Sequence, residues 1–174
     1  GPLLPPINGL MDNIDKEGGN VYSILGMISH INDFPQDLEG KKIAVIGGGA
    51  VGLDVVEFFA ARKADISIVE MMDQIGRDLD PVTKNDMKCQ MKAHGVHQLT
   101  KTALLEVKEH SFLVKRSEGA YELPFDYGFV CLGMRAKGQL YPQLLDAFAD
   151  DDVEILNIGD SQRARRIIDG TMEG

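Results

Sequence analysis

The chain is short of basic residues: 18 lysines and arginines stand against 27 aspartates and glutamates, for a formal net charge of −9 over 174 residues. Nucleic-acid binding draws its affinity from cationic side chains on phosphates, so this balance disfavours a nucleic-acid partner. Long apolar runs are missing too. None approaches the roughly 18–20 residues of a membrane span, and the N-terminus lacks the basic-then-apolar layout of a secretory leader. A cytoplasmic protein with no membrane partner is the expectation. Cysteine is scarce: Cys89 and Cys131 form no CxxC pair, so buried free thiols are expected before a disulfide or a metal site. Repeats, low-complexity segments, serine–histidine–acid sets and paired carboxylates are also lacking. What is present suits one soluble globular domain, with 44% hydrophobic and 26% charged residues.

The termini read differently from the middle. "GPLLPPINGL" has three prolines in its first six residues, as a connecting loop would, and "IIDGTMEG" ends with a helical pattern still running. The chain is therefore expected to be a piece of a longer protein: residues 1–40 a connecting arm, 41–138 the main domain, 139–174 a returning segment. Val21–Phe34 suits a short helix with Ile24, Leu25, Ile28 and Ile31 on one face. "KIAVIG" is a continuous apolar run, the mark of a strand covered on both faces. Val51, Val55, Phe58 and Phe59 recur at helical spacing, and "DISIVE" is a second strand. Asp80-Pro81 opens a helix that Gly95 can end. "VHQLT" is a third strand. "ALLEVKE", "SFLVKRS" and "AYELP" suggest a three-stranded antiparallel meander. "YGFVCLG", a helix over Leu140–Phe148 and a strand in "VEILNIGD" complete the pass. Strand–helix–strand alternation implies an α/β fold with parallel pairing.

Gly47, Gly49 and Gly52 fit G-x-G-x-x-G between a buried strand and a helix, and Glu70 follows Gly52 by 18 residues at the end of the next strand. Each glycine has a task if the loop cradles a dinucleotide. Gly47 permits the turn, Gly49 lets the backbone approach a diphosphate, and Gly52 lets helix and strand pack closely. The helix start, Gly49 to Gly52 with Ala50 and Val51, aims N–H groups at the phosphates. Gly48 and Met71, beside these positions, complete the candidate set. Glu70 suits a ribose diol, favouring NAD over NADP, because it would repel a 2′-phosphate. The bland alternative is a turn that merely packs, with Glu70 solvated.

"IAVIGGGAVGLDVVEFFA" with "ISIVEMMDQIGRDLDP" resembles the NAD-binding domain of the pyridine nucleotide–disulfide oxidoreductase superfamily. "EMMDQIGRDLDP" and "NIGDSQRARRIIDGTMEG" are most similar to its old-yellow-enzyme-type NADH:flavin oxidoreductases, the 2-enoate and 2,4-dienoyl-CoA reductases. The resemblance implies a Rossmann-like FAD/NAD(P)-binding fold, a central parallel sheet with helices on one side and the meander on the other. It implies an NAD domain inserted into an FAD domain, with FMN and an iron–sulfur cluster in a barrel outside this chain. It places Asp54 and Gly133 near the nicotinamide and Asp160 on the flavin's ribityl chain; Asp160 read from its own surroundings is equally a helix N-cap. No catalytic side chain is expected in the segment, since hydride transfer needs placement, not an acid or base.

Three departures stand out. Asp54 occupies the family's usual glutamate position, Ala136-Lys137 replaces a Pro-Asn pair, and the CxxC of thioredoxin reductases is absent, which argues against disulfide reduction. The FAD domain's own glycine loop is missing, so tight FAD binding is not expected of this piece, and its open flavin side could support a homodimer. Other functions weighed are a non-catalytic dinucleotide-sensing module and, fitting less well, S-adenosylmethionine-dependent transfer. His94 and His97 read as surface histidines, not metal ligands; Met87 and Met91 as core; "RARR" (Arg163–Arg166) as a solvated helix face. The strand at Val153–Ile158 is expected at an edge or without partners.

Overall fold

Ile43, Ala44, Val45 and Ile46 form an unbroken apolar run, which a strand can carry only when both faces are covered. The computed structural model, which describes residues 7–132, puts that strand in the middle of the molecule. It is β2 (Lys42–Ile46), preceded by α1 (Leu10–Asn13), β1 (Val21–Ser23) and α2 (Ile24–Ser29). After it come α3 (Ala50–Ala60), β3 (Asp65–Val69), α4 (Pro81–Ala93) and β4 (His97–Leu99). The meander β5 (Ala103–Val107), β6 (Ser111–Arg116) and β7 (Gly119–Pro124) leads into β8 (Tyr127–Val130). The main sheet has the order β1-β8-β2-β3-β4, every pair parallel, and β5-β6-β7 make a separate antiparallel sheet.

Side chains alternate across a strand, so the run divides between two cores. Ile43 and Val45 face the helices together with Ile66, Ile68, Phe129 and the buried faces of α3 and α4. Ala44 and Ile46 face the other way, with Val69 and Val130, onto Val107, Phe112 and Val114 of the meander. The Rossmann-like α/β arrangement read from the sequence is thus the one observed, with α2, α3 and α4 on one side and the meander on the other; the short α1 lies on the meander side, its Leu10 in that cluster. Phe129 anchors the helical side. Its ring lies 4.8 Å from that of Phe59 and 5.5 Å from that of Tyr22, and Phe59 and Phe129 are wholly buried. On the opposite face of β8, a β-carbon at Gly128 would stand 2.7–2.9 Å from the rings of Phe125 and Phe112. Only a glycine lets that aromatic pair lie against the strand.

Val21–Phe34, expected as one helix, divides in two. Val21–Ser23 is a strand paired with β8, and the helix is only Ile24–Ser29. The break has a local cause: Ser23 caps α2, its hydroxyl accepting from the Gly26 N–H at 3.0 Å. Asp15 in turn accepts from both the N–H and the hydroxyl of Ser23. Of the residues expected on the inner face, Ile24 packs against the core and Ile31, beyond the helix, is buried, while Leu25 is 45% exposed and Met27 is the helix's buried residue. Asp80 caps α4 as expected, accepting from the Thr83 N–H at 2.9 Å with Pro81 in the first turn. Met87 and Met91 are core. The expected helix at 140–148, the strand at 153–158, the Ala136-Lys137 connection and Arg163–Arg166 lie outside the described residues.

Truncating the ring that joins β8 to β1 and α3 should be costly. Phe129→Ala is expected to lose about 3–5 kcal/mol of stability, measured by urea unfolding; a loss below about 1 kcal/mol would contradict this packing.

Candidate functional site

The strand order reverses between β2 and β8: β2 passes through α3 to β3 on one side, while β8 lies on the other. Open parallel sheets form their crevices outside the carboxyl ends of such strands. Gly47 leaves β2 at that point with φ of 108°, a conformation that side chains rarely adopt. Its N–H donates to the Val69 carbonyl at 2.8 Å, and the chain following β8 lies against it, since a β-carbon there would be 3.2 Å from the Cys131 carbonyl oxygen.

The remaining glycines divide by purpose. A β-carbon on Gly52 would lie 1.8 Å from the Gly47 carbonyl oxygen, so helix and loop can approach only through a bare α-carbon. Gly48 ties the loop to its surroundings. Its N–H donates to Glu70 Oε1 at 2.9 Å, and its carbonyl accepts from the Gly76 N–H at 2.7 Å. Gly49 is different. Its φ of −85° and ψ of −170° are ordinary extended backbone, and a β-carbon would meet only the Asp78 carboxylate, at 3.7 and 3.8 Å. Neither backbone conformation nor protein packing calls for glycine at that position.

Gly49 is the N-cap of α3, and no side chain caps this helix, whereas Ser23 caps α2 and Asp80 caps α4. The Leu53 N–H makes the first bond of the ladder, to the Gly49 carbonyl at 3.0 Å. The N–H groups of Ala50, Val51 and Gly52 precede it, at the positive end of the helix dipole. An anion at Gly49–Val51 would find unpaired donors and a favourable field.

Glu70 follows β3 with its backbone held on both sides: its N–H donates to the Leu99 carbonyl and its carbonyl accepts from the Thr102 N–H. The carboxylate is fixed too, Oε1 by Gly48 and Oε2 by the Met72 N–H at 2.7 Å. It is not the free solvated acid of the bland alternative, but a half-buried group bracing the glycine loop. Met71, next to it, is half exposed. Asp54, in the second turn of α3, is 2% exposed. It stands close enough to Cys131 to act on its thiol, which burial first and the Asp54 charge second push up to about 12.

Of the residues picked from the sequence, Gly47, Gly48, Gly49, Ala50, Val51, Gly52 and Glu70 converge on one loop, with Met71 at its rim and Asp54 beneath. Gly133 and Asp160 lie outside the described residues. Asp78 and the Ile75-Gly76 turn were missed as parts of the surroundings. "EMMDQIGRDLDP" was read as a family marker, and nothing in its spacing announces that Gly76 docks on Gly48. Cys131 is partly buried as expected, but Cys89 is exposed, because α4 turns only its Met87–Met91 stripe inward. His94 and His97 are exposed, and His97 Nε2 lies 3.1 Å from Asp65. Among the described residues no group of three or more histidines, cysteines or acids could hold a metal ion. No helix among them is long and apolar enough to cross a membrane.

The model of the pyridine nucleotide-disulphide oxidoreductase family matches residues 1–158. A bilirubin reductase of Mediterraneibacter gnavus is 27% identical over 99% of this chain and 25% of its own length. An NADH oxidase of Thermoanaerobacter brockii is 26% identical, with the same coverage of 99% and 25%. The chain thus spans about a quarter of the length of these relatives. Among solved structures, a 2-naphthoyl-CoA reductase superposes with a TM-score of 0.62 at 18% identity, over 86% of this chain and 20% of that one. That likeness concerns the fold.

Two measurements test the local geometry. Gly52→Ala should destabilise the chain by about 2 kcal/mol or more, whereas Gly49→Ala should shift the melting temperature by less than about 2 °C; equal effects would refute the division between the glycines. Titration with a disulfide thiol reagent at pH 8 should label Cys89 alone in the native chain and both cysteines in denaturant. Fast native labelling of Cys131 would contradict its raised pKa.

Proposed function

The chain belongs to the pyridine nucleotide-disulphide oxidoreductase family, and from that premise we propose that it is the NAD(H)-binding segment of a longer flavin-dependent oxidoreductase. The observation that carries this reading is the contrast among the glycines. Gly47 and Gly52 are demanded by the fold and Gly49 is not, although Gly49 is where a diphosphate must approach the backbone. The residues fit the coenzyme. Gly49, Ala50 and Val51 would hold the diphosphate through their N–H groups, and Glu70 would accept from the adenosine ribose hydroxyls. Met71 would lie beside that sugar, and Asp54 and Gly133 would flank the nicotinamide end.

When bound, NADH supplies a hydride, which in this reading passes to an FAD of the same protein. The chain's own residues do no proton chemistry. Gly48 and Met72 hold the Glu70 carboxylate in place, and the helix start supplies a positive field that needs no rearrangement. A ribose bearing a 2′-phosphate would face the Glu70 charge, so NADPH is disfavoured. Residues 41–138 form the coenzyme domain in this proposal. Residues 1–40 and 139–174 would lead from and to the FAD domain, where Asp160 would hold the flavin. The partners are NADH, that FAD domain and a barrel carrying FMN and an iron–sulfur cluster. The full-length protein reduces an enoate- or dienoyl-type alkene. Support for the reductase assignment is the near-complete alignment with proteins named as a reductase and an NADH oxidase.

The test is calorimetric titration of the 174-residue chain with NADH and NADPH. NADH should bind about tenfold or more tightly than NADPH. Glu70→Ala should weaken NADH binding and narrow that preference, and Gly49→Ala should weaken both nucleotides. Unchanged affinity and selectivity in Glu70→Ala would defeat the ribose assignment; failure of NADH to bind the parent chain would defeat the whole reading.

A further inference from the structure

Asp78 stands where an acid is least expected. A β-carbon on Gly49 would point at the two Asp78 carboxylate oxygens, 3.7 and 3.8 Å away, so the open side of the diphosphate cradle faces a negative charge. No salt bridge among the described residues neutralises it. Nor does it ride on a loose segment. On one side Ile75 is buried and the Gly76 N–H is bonded to Gly48. On the other, Leu79 packs against the core and bonds back to Gly76, and Asp80 caps α4. The turn is bracketed by anchors, so its backbone is held in front of the loop, with the exposed Asp78 side chain beside Gly49.

We infer that Asp78 is an electrostatic brake on dinucleotide binding, a negative charge beside the cradle that lowers affinity for the diphosphate and hastens release of spent coenzyme. The inference rests on the dinucleotide reading above. At roughly 5–6 Å and an effective dielectric constant of about 40, one charge opposing another changes a binding constant by about tenfold, less where salt screens it. The helix start attracts the diphosphate and Asp78 opposes it, so tight grip is traded for turnover. A packing role would leave no trace of ligand charge, and this separates the two explanations.

The experiment titrates NADH, ADP and adenosine into the parent chain, Asp78→Asn and, as a remote charge control, Glu118→Gln in the exposed β6–β7 turn. Asp78→Asn is expected to bind NADH and ADP about three- to tenfold more tightly at low ionic strength. The gain should shrink toward unity near about 1 M salt, with adenosine changed less than about twofold. Glu118→Gln should match the parent. The brake is overturned if Asp78→Asn binds NADH no more tightly than the parent, or if adenosine gains as much as ADP. When the parent binds NADH and the variant is no tighter, only the brake fails. When neither binds NADH, the dinucleotide reading fails and takes the brake with it.

Discussion

The structure depends on one close approach: the start of α3 lies so near the end of β2 that Gly52 meets the Gly47 carbonyl with no room for a side chain. This contact fixes the angle at which the helix leaves the sheet and points the N–H groups of Ala50 and Val51 across the switch between β2 and β8. The left-handed turn at Gly47 and the hydrogen bonds that secure Gly48 follow from the same crowding. With Gly48 occupied at both its N–H and its carbonyl, the loop has little freedom to adapt to a ligand. It is organised beforehand, and binding need not meet the entropy of ordering it.

Much of this was legible in the residues. The apolar run at Ile43–Ile46 announced a doubly covered strand, and the three glycines with Glu70 announced the loop. Asp80-Pro81 announced a capped helix. These signals are local: each rests on propensity or spacing within a few residues. The failures were tertiary. Val21–Ser23 carries a helical-looking pattern, yet it becomes a strand because β8 offers an edge and Asp15 captures Ser23. Cys89 looked buried because free cysteine usually is, but the face of α4 was set by Met87 and Met91. The docking of Gly76 on Gly48 and the aim of Asp78 at Gly49 join residues nearly thirty positions apart, beyond what periodicity can register.

In the proposed function one carboxylate serves two purposes. Glu70 braces the loop through Gly48 and Met72, and in that proposal its charge would also select among ribose groups. Charge-assisted hydrogen bonds to backbone donors are stronger than neutral ones, so the brace stiffens the loop while spreading the charge. Substitution at Glu70 therefore carries both a structural and a binding component. The Asp78 carboxylate, by contrast, makes no ion pair among the described residues, and the effect inferred for it is one of field.

The placement of β8 has a consequence for how the chain acquires its shape. It is the last described strand in sequence, yet it sits between β1 and β2, contacting residues about a hundred positions earlier. Until Tyr127–Val130 leave the ribosome, β2 keeps one flank of its hydrogen-bonding groups uncovered, and β1 has no neighbour in the sheet. Such an edge invites pairing with other nascent chains. Insertion of β8 thus makes the longest-range strand pairing among the described residues, a step slowed by loop-closure entropy.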